Sequence, residues 1–206
     1  MPTNPSSPAL PPGFSAVPPG HIAAIVTSLE MFEPPAPRPE RPFPAGTALH
    51  RLVRPDCETY RRLYRAVGAE WLWFSRLTLP EAALQAILDD PRVEIQALRR
   101  DGTDLGLLEL DFREPDTCEL AFLGLIPSAV GQGLGRTLID AAIESAWSHP
   151  IRRFWVHTCT FDHPGALGLY RRSGFTPCAV AVEVAPDPRL TGVLPRTCAP
   201  HVPVLA

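Results

Sequence analysis

Pro127-Ser-Ala-Val-Gly131-Gln132-Gly133-Leu134-Gly135-Arg136 carries three glycines at alternate positions. It follows an apolar run, Cys118 to Leu125, that reads as a strand. It precedes Leu134 to Ser148, where Leu134, Leu138, Ile139, Ala142, Ile143, Ala146 and Trp147 keep the 3–4 spacing of a buried helix face. Glycines at alternate positions let the backbone approach a ligand closely, and the first N–H groups of the helix point at whatever sits there. The fitting occupant is a phosphate or pyrophosphate. A tight turn needing positive φ explains the same glycines, so the turn alone leaves both readings open. The dinucleotide fingerprint G-x-G-x-x-G fails at Arg136, and the Walker motif fails because the chain has no lysine.

On either side of this turn the segments alternate between strand and helix. Leu49 to Arg54 reads as a strand, and Asp56 caps a helix running to Gly68 with Tyr60, Leu63, Tyr64 and Val67 on one face. A second helix spans Pro80 to Leu88. Val93 to Arg99 and Asp104 to Phe112 are strands joined at Asp101-Gly102, a strong hairpin signal. Beyond the long helix come a strand from Phe154 to Thr160, a short helix from Pro164 ended by Gly174, and a strand from Ala179 to Val184. The order is that of one mixed α/β domain. Thirteen of the 26 prolines fall in residues 1–44. Residues 1–46 therefore read as a largely flexible Pro-rich arm carrying one strand, 21–31, docked on the domain edge. The domain is expected over 47–206, with its core at 47–185 and a tail at 186–206.

A second constellation stands downstream: His163-Pro-Gly-Ala166-Leu-Gly-Leu-Tyr170-Arg-Arg-Ser-Gly174-Phe175. With the glycine turn, it resembles the GCN5-related N-acetyltransferase superfamily. That superfamily carries x-x-G-x-G/A after a bulged fourth strand, then N-x-x-A-x-x-x-Y-x-x-x-G-F. Gly133 and Gly135 match the first motif; Ala166, Tyr170, Gly174 and Phe175 match the second at the same spacing. The resemblance implies a mostly antiparallel α/β sheet whose fourth and fifth strands splay apart, flanked by helices. Two departures stand out. Val130 occupies the position where the family usually opens its pyrophosphate loop with Arg or Gln, with Arg136 able to compensate in charge. His163, preceded by Asp162, replaces the helix-capping Asn.

The resemblance implies a chemistry as well as a fold. By that likeness the co-substrate is acetyl-CoA, without a metal, and the reaction moves an acetyl group to a primary amine by direct attack. The pyrophosphate sits on Val130, Gly131, Gln132, Gly133, Leu134, Gly135 and Arg136, with His163 a further contact. The thioester and pantetheine lie along Leu123, Gly124 and Leu125, whose backbone offers donors. Tyr170 matches the tyrosine that protonates the departing thiolate, a role a phenol can fill at neutral pH; a plain core aromatic would also explain it. Glu119 matches the general-base glutamate of one branch, and a strand glutamate facing solvent or pairing with Arg113 is the other reading.

Trp71, Trp73 and Phe74 fall where the family builds its acceptor pocket, and read equally as core anchors between helices. His157, Cys159, Asp162 and His163 do not have the paired spacing of a structural zinc site. Composition closes off other classes. Without lysine there is no Schiff-base or P-loop chemistry. A net charge of −3 with no basic run argues against nucleic acid or an anionic membrane as partner. The apolar runs are too short to span a bilayer and no secretory signal is visible. Five scattered cysteines suit a reducing cytoplasm. The acceptor is a small-molecule or peptide amine, and a homodimer stays open. The alternative from another class is a non-catalytic acyl-CoA-binding or regulatory module on the same fold, which would need neither Tyr170 nor Glu119.

Overall fold

The computed structural model describes residues 9–36, 39 and 41–205. Local chemistry places the helices much as their patterns require. Helix α1 (Cys57–Gly68) begins at Asp56, whose carboxylate accepts the Thr59 N–H at 2.8 Å and so satisfies one of the helix's orphan donors. A 3-10 turn at Ala69–Trp71 and a one-turn helix α2 (Ser75–Thr78) lead to α3 (Glu81–Leu88). Helix α4 (Leu134–Trp147) buries the leucine and isoleucine face read from its spacing, and α5 is short (Ala166–Arg172).

The strands are β1 (His21–Met31), β2 (Thr47–Arg51), β3 (Val93–Arg100), β4 (Thr103–Asp111), β5 (Thr117–Leu125), β6 (Arg153–Cys159) and β7 (Thr176–Pro186). They form one sheet in the order β2-β3-β4-β5-β6-β1-β7, antiparallel throughout except for the parallel pair β5–β6. Asp101 and Gly102 both have positive φ, the conformation a two-residue hairpin demands, and join β3 to β4. The mixed α/β architecture with a mostly antiparallel sheet is the expected one.

The position of β1 is not. In place of the expected edge it lies inside the sheet, pairing with β6 along one side and β7 along the other. The reason lies in its composition. Ile22 and Ala24 are buried on one face, Leu29 and Met31 on the other, and a strand apolar on both faces belongs between neighbours.

Helices pack both faces of the sheet. Leu134, Leu138, Ile139 and Phe175 cover Leu108, Leu110, Leu120 and Phe154 on one side. Tyr60, Leu63, Tyr64, Leu84 and Leu88 cover Ile95, Ala97 and Leu107 on the other. The C-terminal segment closes a third, smaller cluster in which Leu194, Cys198 and Ala199 meet Ile22 and Leu72. It is held by Arg189, which pairs with Asp187 at 2.8 Å and also donates to the carbonyls of Cys198, Ala199, Val202 and Pro203. A charge pair so deeply buried is tolerable because nearly every donor it carries is used.

Candidate active site

The site grows from a failure of pairing. Strands β5 and β6 run side by side only at Thr117–Arg153, Cys118–Phe154 and Glu119–Trp155, and then part. Opposite Glu109 and Leu110 of β4, strand β5 carries one extra residue, Ala121, a bulge that bends it away. The Ile126 N–H donates to Leu105 of β4, so the alternation of an antiparallel ladder turns the amides of Leu123 and Leu125 towards the open cleft.

At the head of the cleft stands the glycine turn. Gly131 and Gly133 have φ of +82° and +78°, the left-handed conformation that glycine adopts without penalty. Among the described residues the N–H groups of Gly131, Gln132, Gly133, Leu134 and Gly135 donate to no backbone acceptor, while the next one, of Arg136, is given to Gly133 O at 3.2 Å. Such a run of free donors at the start of a fourteen-residue helix is a concave anion site. It suits a pyrophosphate.

The cleft opens into a cavity of about 1030 Å³. Leu123, Gly124, Leu125, Val130, Gly131, Gly133, Gly135, Arg136, His163, Tyr170 and Glu119 all line it. Two of the residues expected there do not. Gln132 turns outward, its amide donating to Ser128 O and accepting from Arg100, and the Leu134 side chain is buried in the core. Arg136 is shared with Asp140 one turn on, at 3.2 Å, which partly neutralises the charge available in place of the missing loop Arg. Arg172, at the end of α5, also lines the cavity and makes no ion pair among the described residues; neither motif singles it out.

His163 steadies the turn before α5, its Nδ1 accepting the Gly165 N–H at 3.0 Å. Asp162 looks elsewhere. One oxygen accepts the Trp73 indole N–H at 3.0 Å; the other accepts the Thr158 hydroxyl and the Cys159 N–H, both at 2.8 Å. The carboxylate is thus consumed in holding Trp73. That side chain lies where a Cβ on Gly68 would stand, and a Cβ on Gly124 would strike Val67 Cγ1 at 2.5 Å with the edge of the same ring at 3.0 Å, which is why glycine occupies both positions. Trp71, Trp73 and Phe74 all line the cavity, and Trp71 meets the His163 ring edge-on at 5.3 Å. The two readings of this aromatic segment merge: Trp73 is packed as an anchor and presents a face to the cavity.

Among the described residues no group of His, Cys, Asp and Glu stands close enough to hold a metal ion. Burial, with Asp162 nearby, pushes the Cys159 thiol up to about 11, so it is not poised as a nucleophile. Tyr170 is buried, its ring edge-on to Phe175 at 6.0 Å, and burial raises its phenol well above the ordinary tyrosine range. Glu119 lies where β5 and β6 begin to part, with His157 Nδ1 3.5 Å from its Oε1.

A buried network has no signature in the sequence. Glu109 of β4 is fully buried and accepts hydrogen bonds from the Tyr60 hydroxyl and, at 2.6 Å, from Arg76. Arg76 lines the cavity and lies over the Phe122 ring, 5.2 Å from its centre, beside the bulge. Arg76 and Tyr60 stand 33 and 49 positions from Glu109, so no local pattern reveals the group. Glu109→Ala would leave a buried guanidinium unpaired and is expected to cost about 3–5 kcal/mol. Glu109→Gln, which keeps an acceptor, should cost less; urea midpoints at constant m-value measure both.

The described helices include none long and apolar enough to cross a membrane. The family model described as "Acetyltransferase (GNAT) family" matches residues 47–175, a span that excludes β1 and β7. Two curated relatives are named mycothiol acetyltransferase. The one from Beutenbergia cavernae is 36% identical over 83 residues, covering 40% of this chain and 28% of the relative. The one from Clavibacter michiganensis is 29% identical over 147 residues, covering 70% of this chain and 47% of the relative. The chain therefore spans less than half the length of either. Among solved structures, a GCN5-related N-acetyltransferase from Sphaerobacter thermophilus superposes with a TM-score of 0.57 at 18% identity, over 82% of this chain and 52% of that one. An aminoglycoside acetyltransferase from an uncultured soil sample does so with a TM-score of 0.51 at 18% identity, over 63% of this chain and 88% of that one. Likeness at these identities speaks for the fold.

Proposed function

Because the chain belongs to the acetyltransferase (GNAT) family, we propose that it transfers an acetyl group from acetyl-CoA to a primary amine by direct attack, in the cytoplasm and without a metal. The observation that carries this reading is the parting of β5 from β6 beside the glycine turn, where free donors meet an open cleft. Acetyl-CoA, as co-substrate, supplies an activated carbonyl on a thioester. The N–H groups of Gly131, Gln132 and Gly133 and the start of α4 hold its pyrophosphate. The amides of Leu123 and Leu125 align the pantetheine and take up charge developing on the carbonyl oxygen. Tyr170 gives its proton to the leaving sulfur, and Glu119 serves the amine end, where the proton must be taken away. The acceptor is a small-molecule amine bound beneath Trp71, Trp73 and Phe74. The names of the two curated relatives do not carry over to it, given how little of their length is matched.

The reading is tested by following thiol release from acetyl-CoA with a panel of amines, alongside calorimetric binding of acetyl-CoA. Turnover with at least one amine is expected. Tight binding without turnover for any amine would assign the chain to the non-catalytic module instead.

Gly135 offers a test of the cofactor end alone. A Cβ added there would meet nothing nearer than Leu125 Cδ1 at 4.0 Å. Alanine in that helical turn should gain up to about 1 kcal/mol in propensity. Gly135→Leu is accordingly expected to melt no lower than the parent. Its side chain would nevertheless enter the cavity that Gly135 lines and keep the pyrophosphate off the amides, so acetyl-CoA should bind about tenfold or more weakly, as for the loss of a charge-assisted hydrogen bond worth ~1.5–3 kcal/mol.

A further inference from the structure

We propose that His157 is a catalytic residue, its Nε2 taking the proton from the acceptor amine while Glu119 positions the imidazole from behind. This rests on the acetyl-transfer reading and completes its amine end.

The two residues come from different strands. Glu119 is the last residue of β5 that pairs with β6; His157 lies two places beyond its partner Trp155 and so projects from the same face, where the cleft opens. Glu119 Oε1 is 3.5 Å from His157 Nδ1. That nitrogen is sealed from solvent and has no aligned hydrogen bond among the described residues. Yet 37% of the His157 side chain is exposed, so the ring presents its other edge, the one that carries Nε2, to the cavity it lines. A carboxylate behind one imidazole nitrogen, with the other turned to the reacting group, fixes the tautomer and stabilises the imidazolium when it forms. The 3.5 Å separation is loose, as such contacts often are without substrate, and is expected to tighten when an amine fills the cavity.

Groups on the surrounding elements do not compete for the imidazole. On β1, Ser28 sits opposite His157, and Glu30 is engaged by Arg153 at 2.7 Å. On β4, Asp111 is clamped by Arg113 at 2.5 Å. On β6 itself, Trp155 packs 5.9 Å from the imidazole, and Cys159, the next residue on that face, is held protonated. Across β1, the facing position of β7 is Ala179, and the one charged β7 side chain, Glu183, is four residues further along.

The step balances. The amine nitrogen bonds to the carbonyl carbon as its proton passes to Nε2; the carbon–sulfur bond breaks and Tyr170 gives its proton to sulfur. The imidazolium then releases a proton to solvent and the phenolate regains one, so the protein ends as it began.

The test uses the full chain and whichever panel amine is turned over fastest. His157→Gln and His157→Asn are expected to melt with the parent and keep its KM for acetyl-CoA, while kcat falls about 10²-fold or more. Any fall in rate towards acid in the parent's pH profile should vanish from both. Imidazole added to His157→Ala should restore part of the rate, which a packing role would not permit. Glu119→Gln should lose less, and adding it to His157→Gln should cost little more, as for residues that act as a unit. Independently of turnover, diethyl pyrocarbonate should acylate His157, as read by peptide mass. A parent-like kcat and pH profile in His157→Gln would overturn the proposal and leave acetyl transfer intact. An unlabelled His157 would overturn it even if no amine were accepted, whereas absence of turnover in the parent counts against the acetyl-transfer reading alone.

Discussion

Tyr170→Phe is expected to lower kcat by about 10²–10⁴-fold, the range for a positioned general acid, while acetyl-CoA binding and melting temperature stay close to the parent's. The substitution removes one oxygen and little else. The ring stays packed against Phe175, and the hydroxyl has no hydrogen-bond partner among the described residues whose loss would destabilise the fold. Burial holds the phenol protonated well above its ordinary range, so Tyr170 remains a donor through neutral and moderately alkaline pH. No loss of rate near neutrality should therefore trace to its ionisation, and moderately alkaline buffer should leave this donor in place. Stopped-flow thiol release measures kcat, and calorimetry measures binding. An unchanged kcat would return Tyr170 to the role of a core aromatic.

Removing residues 1–31 is expected to abolish cooperative folding, whereas removing residues 1–16 should be tolerated. Strand β1 fills the space between β6 and β7, so its loss strands the edges of both. Leu29 is fully buried, and Ile22 and Met31 nearly so. Burying each is worth about 1.5–3 kcal/mol, which together approaches the ~5–15 kcal/mol that separates folded from unfolded domains, before any ladder hydrogen bond is counted. Circular dichroism melts on the two truncated chains decide it. A cooperative transition in the chain lacking β1 would mean that β7 can slide across to pair with β6. A milder version, Leu29→Ala, should cost about 2–5 kcal/mol.

The composition of β1 carries a clue to its place. Read only as an apolar island between prolines, His21 to Met31 suggests an edge; read for two apolar faces, it suggests an interior strand. The proline-rich segments on either side constrain the backbone and say nothing about which faces need covering. The site divides in a similar way. The glycine turn, the capped α1, the Asp101-Gly102 hairpin and the face of α4 depend on residues within a few positions of each other, and these are legible. Gln132 and Leu134 fall within a motif yet present no side chain to the cavity, because a motif marks backbone path and not side-chain direction.

The principal strands and helices, their order and the two motifs that mark the family are legible along the chain, because capping, turn chemistry and helical periodicity act over a handful of residues. It takes the folded sheet to set β1 in its interior, to bring His157 within reach of Glu119, to anchor Arg76 on Glu109, and to commit Asp162 to Trp73. Each of these joins positions 33 or more residues apart, the strand pair Val26 and Cys159 far more. Such pairs meet only when burial of the whole sheet offsets the entropy of closing the loops between them, and nothing in either local stretch records that meeting.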